Sequence, residues 1–64
     1  MINEKLNDLL EEKQVTLREL TEGTGISVSV LANYRQGVVK PTVAHLQALA
    51  KHLGVSVDKL TGRE

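Results

Sequence analysis

Cysteine, phenylalanine and tryptophan are absent from this chain, and Tyr34 and Pro41 are its lone tyrosine and proline. Without cysteine there is neither a disulfide staple nor a thiolate metal site, so the fold needs no oxidising compartment and a cytoplasmic location is expected. With one aromatic side chain, the core has to be aliphatic. No apolar run approaches the roughly 20 residues of a membrane span, and the opening MINEKLNDLL carries early acids in place of the basic-then-apolar plan of a secretion signal. At 64 residues a single domain spanning 1–64 is expected. A chain this short buries only about 60% of the surface it exposes when unfolded, so its stability is modest.

Net charge is also lacking: eight basic and eight acidic residues cancel. The distribution is uneven, however. Residues 1–22 hold six acids (Glu4, Asp8, Glu11, Glu12, Glu19, Glu22) against three bases, whereas residues 23–57 hold no acid and carry Arg35, Lys40 and Lys51. One side of the domain is therefore suited to face a polyanion.

What is present is helix punctuation. In NEKLNDLLEEK, Leu6, Leu9 and Leu10 recur at helical spacing behind Asn3, a candidate cap. VTLREL combines a capping box, Thr16-x-x-Glu19, with a hydrophobic staple of Val15 against Leu20. The same frame, an apolar residue or Pro, then Ser or Thr, then Leu four places after the cap, returns as Ile26-Ser27 with Leu31, Pro41-Thr42 with Leu46, and Val55-Ser56 with Leu60. Gly23, Gly37, Gly54 and Gly62 stand where such helices can end.

One stretch reads differently. Ile26-Ser27-Val28-Ser29-Val30-Leu31 alternates apolar and polar residues like a half-buried strand. A strand there would need a partner for its backbone ladder, and the chain offers no second candidate. The shared cap frame decides for helix. Wound that way, the segment turns Ile26, Leu31 and Tyr34 inward and Val28, Ser29 and Asn33 outward, leaving a neutral outer face with neither solvating charge nor a core role. The expected architecture is all-α, five helices near residues 3–13, 16–23, 27–36, 42–53 and 56–61.

Several features carry no chemistry. His45 and His52 lie seven residues apart on one helix, a separation of about 10 Å. One metal ion with bonds of about 2 Å cannot bridge them, so two partly exposed imidazoles are expected and no metal site. Gly23-Thr24-Gly25 begins like a phosphate loop, but position 28 is Val and no strand precedes it; a helix stop and turn account for it. Ser27, Ser29 and Ser56 read as caps or surface and the acids cluster at the N-terminal end, so no nucleophile, base and orienter assemble. No catalytic residues, cofactor, membrane contact or small-molecule ligand are inferred.

The middle of the chain resembles the helix-turn-helix of lambda-repressor-like and Cro-type proteins, the XRE family of transcriptional regulators. The residues that match are Leu20, Gly25-Ile26-Ser27, Leu31, Tyr34, Gly37, Pro41, Leu46, Leu49-Ala50, Leu53-Gly54-Val55-Ser56 and Asp58-Lys59-Leu60. The resemblance implies that the helix from Thr16 crosses the DNA backbone and that the helix from Ser27 to Gln36 enters the major groove. Base-reading positions of the family fall on Val28, Ser29, Val30 and Asn33, and its phosphate contacts on Leu17, Gln36 and the loop around Lys40.

Physical chemistry adds to this. Asn33 suits adenine, Ser29 donates or accepts, and Val28 and Val30 offer methyl surface to thymine, a combination fitted to an A·T-containing half-site. Helix N-termini at Thr16 and Thr42 present free amides, and Arg35 and Lys40, with Lys51, add charge for phosphate. Three departures from the family pattern stand out: Leu17 where a phosphate-binding Gln is frequent, Thr21 in place of a frequent Ala at the crossing of the central helices, and Arg35 where Glu is common.

The implied function is a sequence-specific double-stranded DNA-binding regulator, a repressor of phage, plasmid or bacterial origin, acting as a homodimer on a palindromic operator. Val55, Val57 and Leu60 are the candidates for the dimer seam, with Val55 and Leu60 equally suited to the core. No length remains for a ligand-sensing domain, so control is expected from abundance, a partner or a further C-terminal region. The alternative is a protein-interaction module, an antitoxin or anti-repressor, gripping its partner with the Val28/Val30 face.

Overall fold

Four of the five helices begin where a Ser or Thr hydroxyl replaces a missing backbone acceptor. The computed structural model describes residues 2–62. Its helices are α1 (Ile2–Lys13), α2 (Leu17–Thr24), α3 (Val28–Gln36), α4 (Val43–Leu53) and α5 (Val57–Thr61), and there is no strand among the described residues. Thr16, Ser27, Thr42 and Ser56 sit in extended conformation before α2 to α5, and their side chains accept the N–H of Glu19, Val30, His45 and Lys59 respectively. Each cap satisfies one of the orphan donors of the first turn and contributes about 1 kcal/mol. The Ile26–Leu31 alternation is thus the entry to a helix, as its cap frame predicts.

Two expected boundaries move. Asn3 does not cap α1, which already runs from Ile2; the side chain lies in the first turn, its Oδ1 buried with no partner among the described residues. Gly23 does not end α2. It lies inside the helix, and Gly25, at φ +77°, is the left-handed C-cap. Thr24 builds the turn between them: its hydroxyl donates to the Leu20 carbonyl at 2.6 Å and accepts the Ile26 N–H at 3.2 Å. The His52 imidazole of α4 occupies the space that a Cβ at position 23 would need.

Unlike the others, α1 ends without glycine. Gln14 takes φ +56° and the chain closes by a Val15 N–H bond to the Leu10 carbonyl at 2.9 Å. This is the left-handed ending that glycine adopts at no steric cost.

The core is aliphatic apart from Tyr34. Leu6, Leu20, Leu31, Leu49 and Leu60 are fully buried, one from each helix, and Leu9, Leu10, Ile26, Ala50 and Leu53 complete the cluster. Helix α2 packs on α3 and α4, α1 on α3 and α5, and α4 on α5. Val15 is half-buried and packs against the core cluster to which Leu20 belongs. Thr21 sits half-buried with its Oγ1 shielded and unpaired among the described residues, the physical form of its departure from Ala. No helix of the described residues is long and apolar enough to cross a membrane.

Candidate nucleic-acid interface

The outer face of α3 follows from what its inner face buries. Leu31 and Tyr34 point into the core, so the residues half a turn away point out: Ser29, Asn33 and Gln36 form an exposed polar stripe at i, i+4 and i+7. That stripe is about 10 Å long, roughly three base pairs at about 3.4 Å each. Val28 leads it at the N-terminal end, 48% exposed. Val30 departs from the expected outward placement. It is half-buried and packed against the core, because it stands one turn before Tyr34 on the side facing the domain.

The flanks hold the charged and capped positions. Thr16 is exposed before α2, its hydroxyl donating to the Glu19 carboxylate at 3.3 Å while accepting the Glu19 N–H at 3.1 Å. Leu17 behind it is half-buried against the core. After α3 the backbone reverses at Gly37, φ +75°, and the exposed loop Val38, Val39, Lys40 leads through Pro41 to the Thr42 cap. Val38 and Val43, at 66% and 70% exposed, are open to solvent beside Lys40. The sequence holds no acid between Gly23 and Val57, so α3 and its loop carry none, while the exposed Glu19 carboxylate stands on the α2 flank beside Thr16.

Two polar contacts around α3 involve pairings that the sequence pattern did not indicate. The Tyr34 hydroxyl lies 2.6 Å from His45 Nδ1, with the rings edge to face at 5.8 Å, and ties α3 directly to α4. His45 is therefore the partner of a buried phenol as well as a partly exposed surface imidazole. Arg35, expected as a free cation, donates from Nε to the Asn7 Oδ1 at 2.7 Å, and the Asn7 Nδ2 donates back to the Arg35 carbonyl at 3.1 Å. Asn7 stands on α1, 28 positions away, and nothing in the sequence pattern marked it.

Of the three seam candidates, Leu60 is fully buried inside its own chain and offers no area to a second copy. Its place one turn into the short α5 drives it between α1 and α4. Val55 and Val57 are half-buried at the edge of the core and keep some exposed surface.

A family model described as helix-turn-helix matches residues 6–60, the span from the first core leucine to the last. No curated protein and no solved structure gives a significant match.

Proposed function

This chain belongs to the helix-turn-helix family, of the XRE and lambda-repressor-like kind, and is a DNA-binding regulator in that general sense; from that premise we propose that it represses transcription by occupying an A·T-containing operator. Helix α3 enters the major groove, with Ser29 and Asn33 at base edges and Val28 against thymine methyl groups. The observation that carries this reading is the exposed, uncharged Val28/Ser29/Asn33 surface on a helix held by two core residues and a capped start, in a stretch from Gly23 to Val57 that contains no acid. A purely solvating face would carry charge.

Phosphate contacts fall to Gln36 and Lys40, to the amides behind the Thr16 and Thr42 caps, and to Arg35. Leu17 supplies no donor. A single α3 covers a short site, so the protein acts as a homodimer on a palindrome, with Val55 and Val57 left as the seam once Leu60 is spent in the core.

The exposed valines and zero net charge favour one second reading, a protein-binding module that uses Val28 and its neighbours. Selection of duplexes from a random pool, followed by fluorescence anisotropy at several salt concentrations, separates the two. Operator binding weakens steeply as salt rises because counterions are released. A flat salt dependence, with no enriched sequence, removes the DNA reading. Light scattering on a palindromic duplex tests the dimer; monomer alone, free and bound, refutes it.

A further inference from the structure

The Asn7–Arg35 pair uses both ends of one amide on one residue: Oδ1 takes the Nε proton and Nδ2 returns a proton to the Arg35 carbonyl. Such reciprocity fixes the guanidinium plane relative to α3 while occupying only one of its five N–H donors. The remaining donors sit on the two terminal nitrogens, the fork that matches phosphate geometry. The holder is also neutral. On a helix that carries Glu4, Asp8, Glu11 and Glu12, the residue that meets Arg35 is an amide, so the positive charge is held without being cancelled.

The place matters as much as the pairing. Arg35 borders an open groove of about 290 Å³ lined with Asn7, Leu17, Ala32 and Gln36, where the start of α2 meets the end of α3. The Leu17 side chain contributes only apolar wall to it, so the side-chain donors left for a phosphate there are those of Arg35 and Gln36, beside the free amides of the α2 start.

We infer that Asn7 is a positioning residue that holds the Arg35 guanidinium in this groove for a DNA backbone phosphate, supplying the donor that Leu17 cannot. The inference rests on the DNA-binding reading above. A phosphate contact carries no base information, so the effect is equal on operator and scrambled duplex. Pre-ordering a side chain as rotamer-rich as arginine raises affinity without adding a contact.

The decisive variant is Asn7→Asp, compared with Arg35→Gln and Asn7→Ala in the full chain. Asp at position 7 keeps an acceptor for Nε and makes the bond charge-assisted, so the melting temperature is maintained or raised. It also cancels the guanidinium charge and repels phosphate. N7D and R35Q are each expected to lower affinity about tenfold on both duplexes, the scale of one charge-assisted contact, and to reduce the slope of log K against log salt by about 0.9. N7A keeps that slope, lowers affinity several-fold, and has no further effect in an R35Q background. Should wild-type binding be steeply salt-dependent while N7D and R35Q leave slope and affinity unchanged, the inference is overturned and the DNA reading stands. Should wild-type binding itself be flat in salt, the DNA reading fails and takes the inference with it.

Discussion

Replacing His45 with alanine tests whether α3 is held to α4 by a polar bond or by packing alone. Tyr34 is 4% exposed and its hydroxyl is 2.6 Å from His45 Nδ1, so truncating the histidine strands a buried phenol. An unsatisfied buried hydroxyl costs about 1–3 kcal/mol, and losing the edge-to-face contact about 0.5–1.5 kcal/mol. Alanine returns roughly 0.5 kcal/mol of helix propensity. The net expectation for H45A is a loss of about 2 kcal/mol, a large fraction of the roughly 3–10 kcal/mol available to a chain of this length. Tyr34→Phe removes the donor together with its need for a partner and leaves His45 open to hydration, so about 1 kcal/mol is lost. In the Y34F background H45A costs about half a kcal/mol, since only the ring contact remains to lose. At about 4–8 °C per kcal/mol for so small a domain, the melting temperature falls by about 8–16 °C in H45A and by about half that in Y34F. Thermal unfolding followed by circular dichroism on the four proteins closes the cycle. If H45A costs the same with Tyr or with Phe at position 34, the hydrogen bond contributes nothing net and the reasoning is wrong.

Leu60→Ala is expected to cost about 2–5 kcal/mol, because the side chain is fully enclosed; a urea midpoint within error of wild type would place Leu60 outside the core. Thr21→Val keeps the shape and removes an unpaired shielded hydroxyl, so stability should rise by about 1 kcal/mol, and a fall in the urea midpoint would mean that Oγ1 has a partner after all. Gln14→Gly relieves the left-handed backbone at φ +56° and should add about 0.5–1 kcal/mol, read from the same titration. Asn33→Ala and Lys40→Ala should fail differently in anisotropy: the first loses about 1–3 kcal/mol on the selected operator with little change on scrambled DNA, and the second weakens both and lowers the salt slope by about one unit. Equal losses on both duplexes for N33A would remove it from base reading.

Local order in this protein was legible in the sequence because its causes are local. A cap hydroxyl reaches three residues forward, so Thr16, Ser27, Thr42 and Ser56 announce α2 to α5 wherever those helices pack. Helical periodicity then assigns Leu31 and Tyr34 to the inside and Ser29 and Asn33 to the outside, and the strand-like alternation yields because it has no partner. Periodicity thus exposes the outer face of α3, and the family resemblance makes it a candidate interface.

What the tertiary structure decided depends on which helices meet. Gly23 lies inside α2, and the imidazole of His52, 29 positions later, fills the space beside it, so glycine there stands next to a neighbour and does not end the helix. Val30 and Leu60 occupy positions that periodicity leaves at a boundary, and the assembled core draws both inward. The sequence marks Arg35 as a charge without its holder; the α1–α3 contact brings the Asn7 amide against its guanidinium across 28 residues. Side-chain type and spacing set each helix and its faces; only the assembled domain determines which polar groups lie within the roughly 3 Å reach of a hydrogen bond.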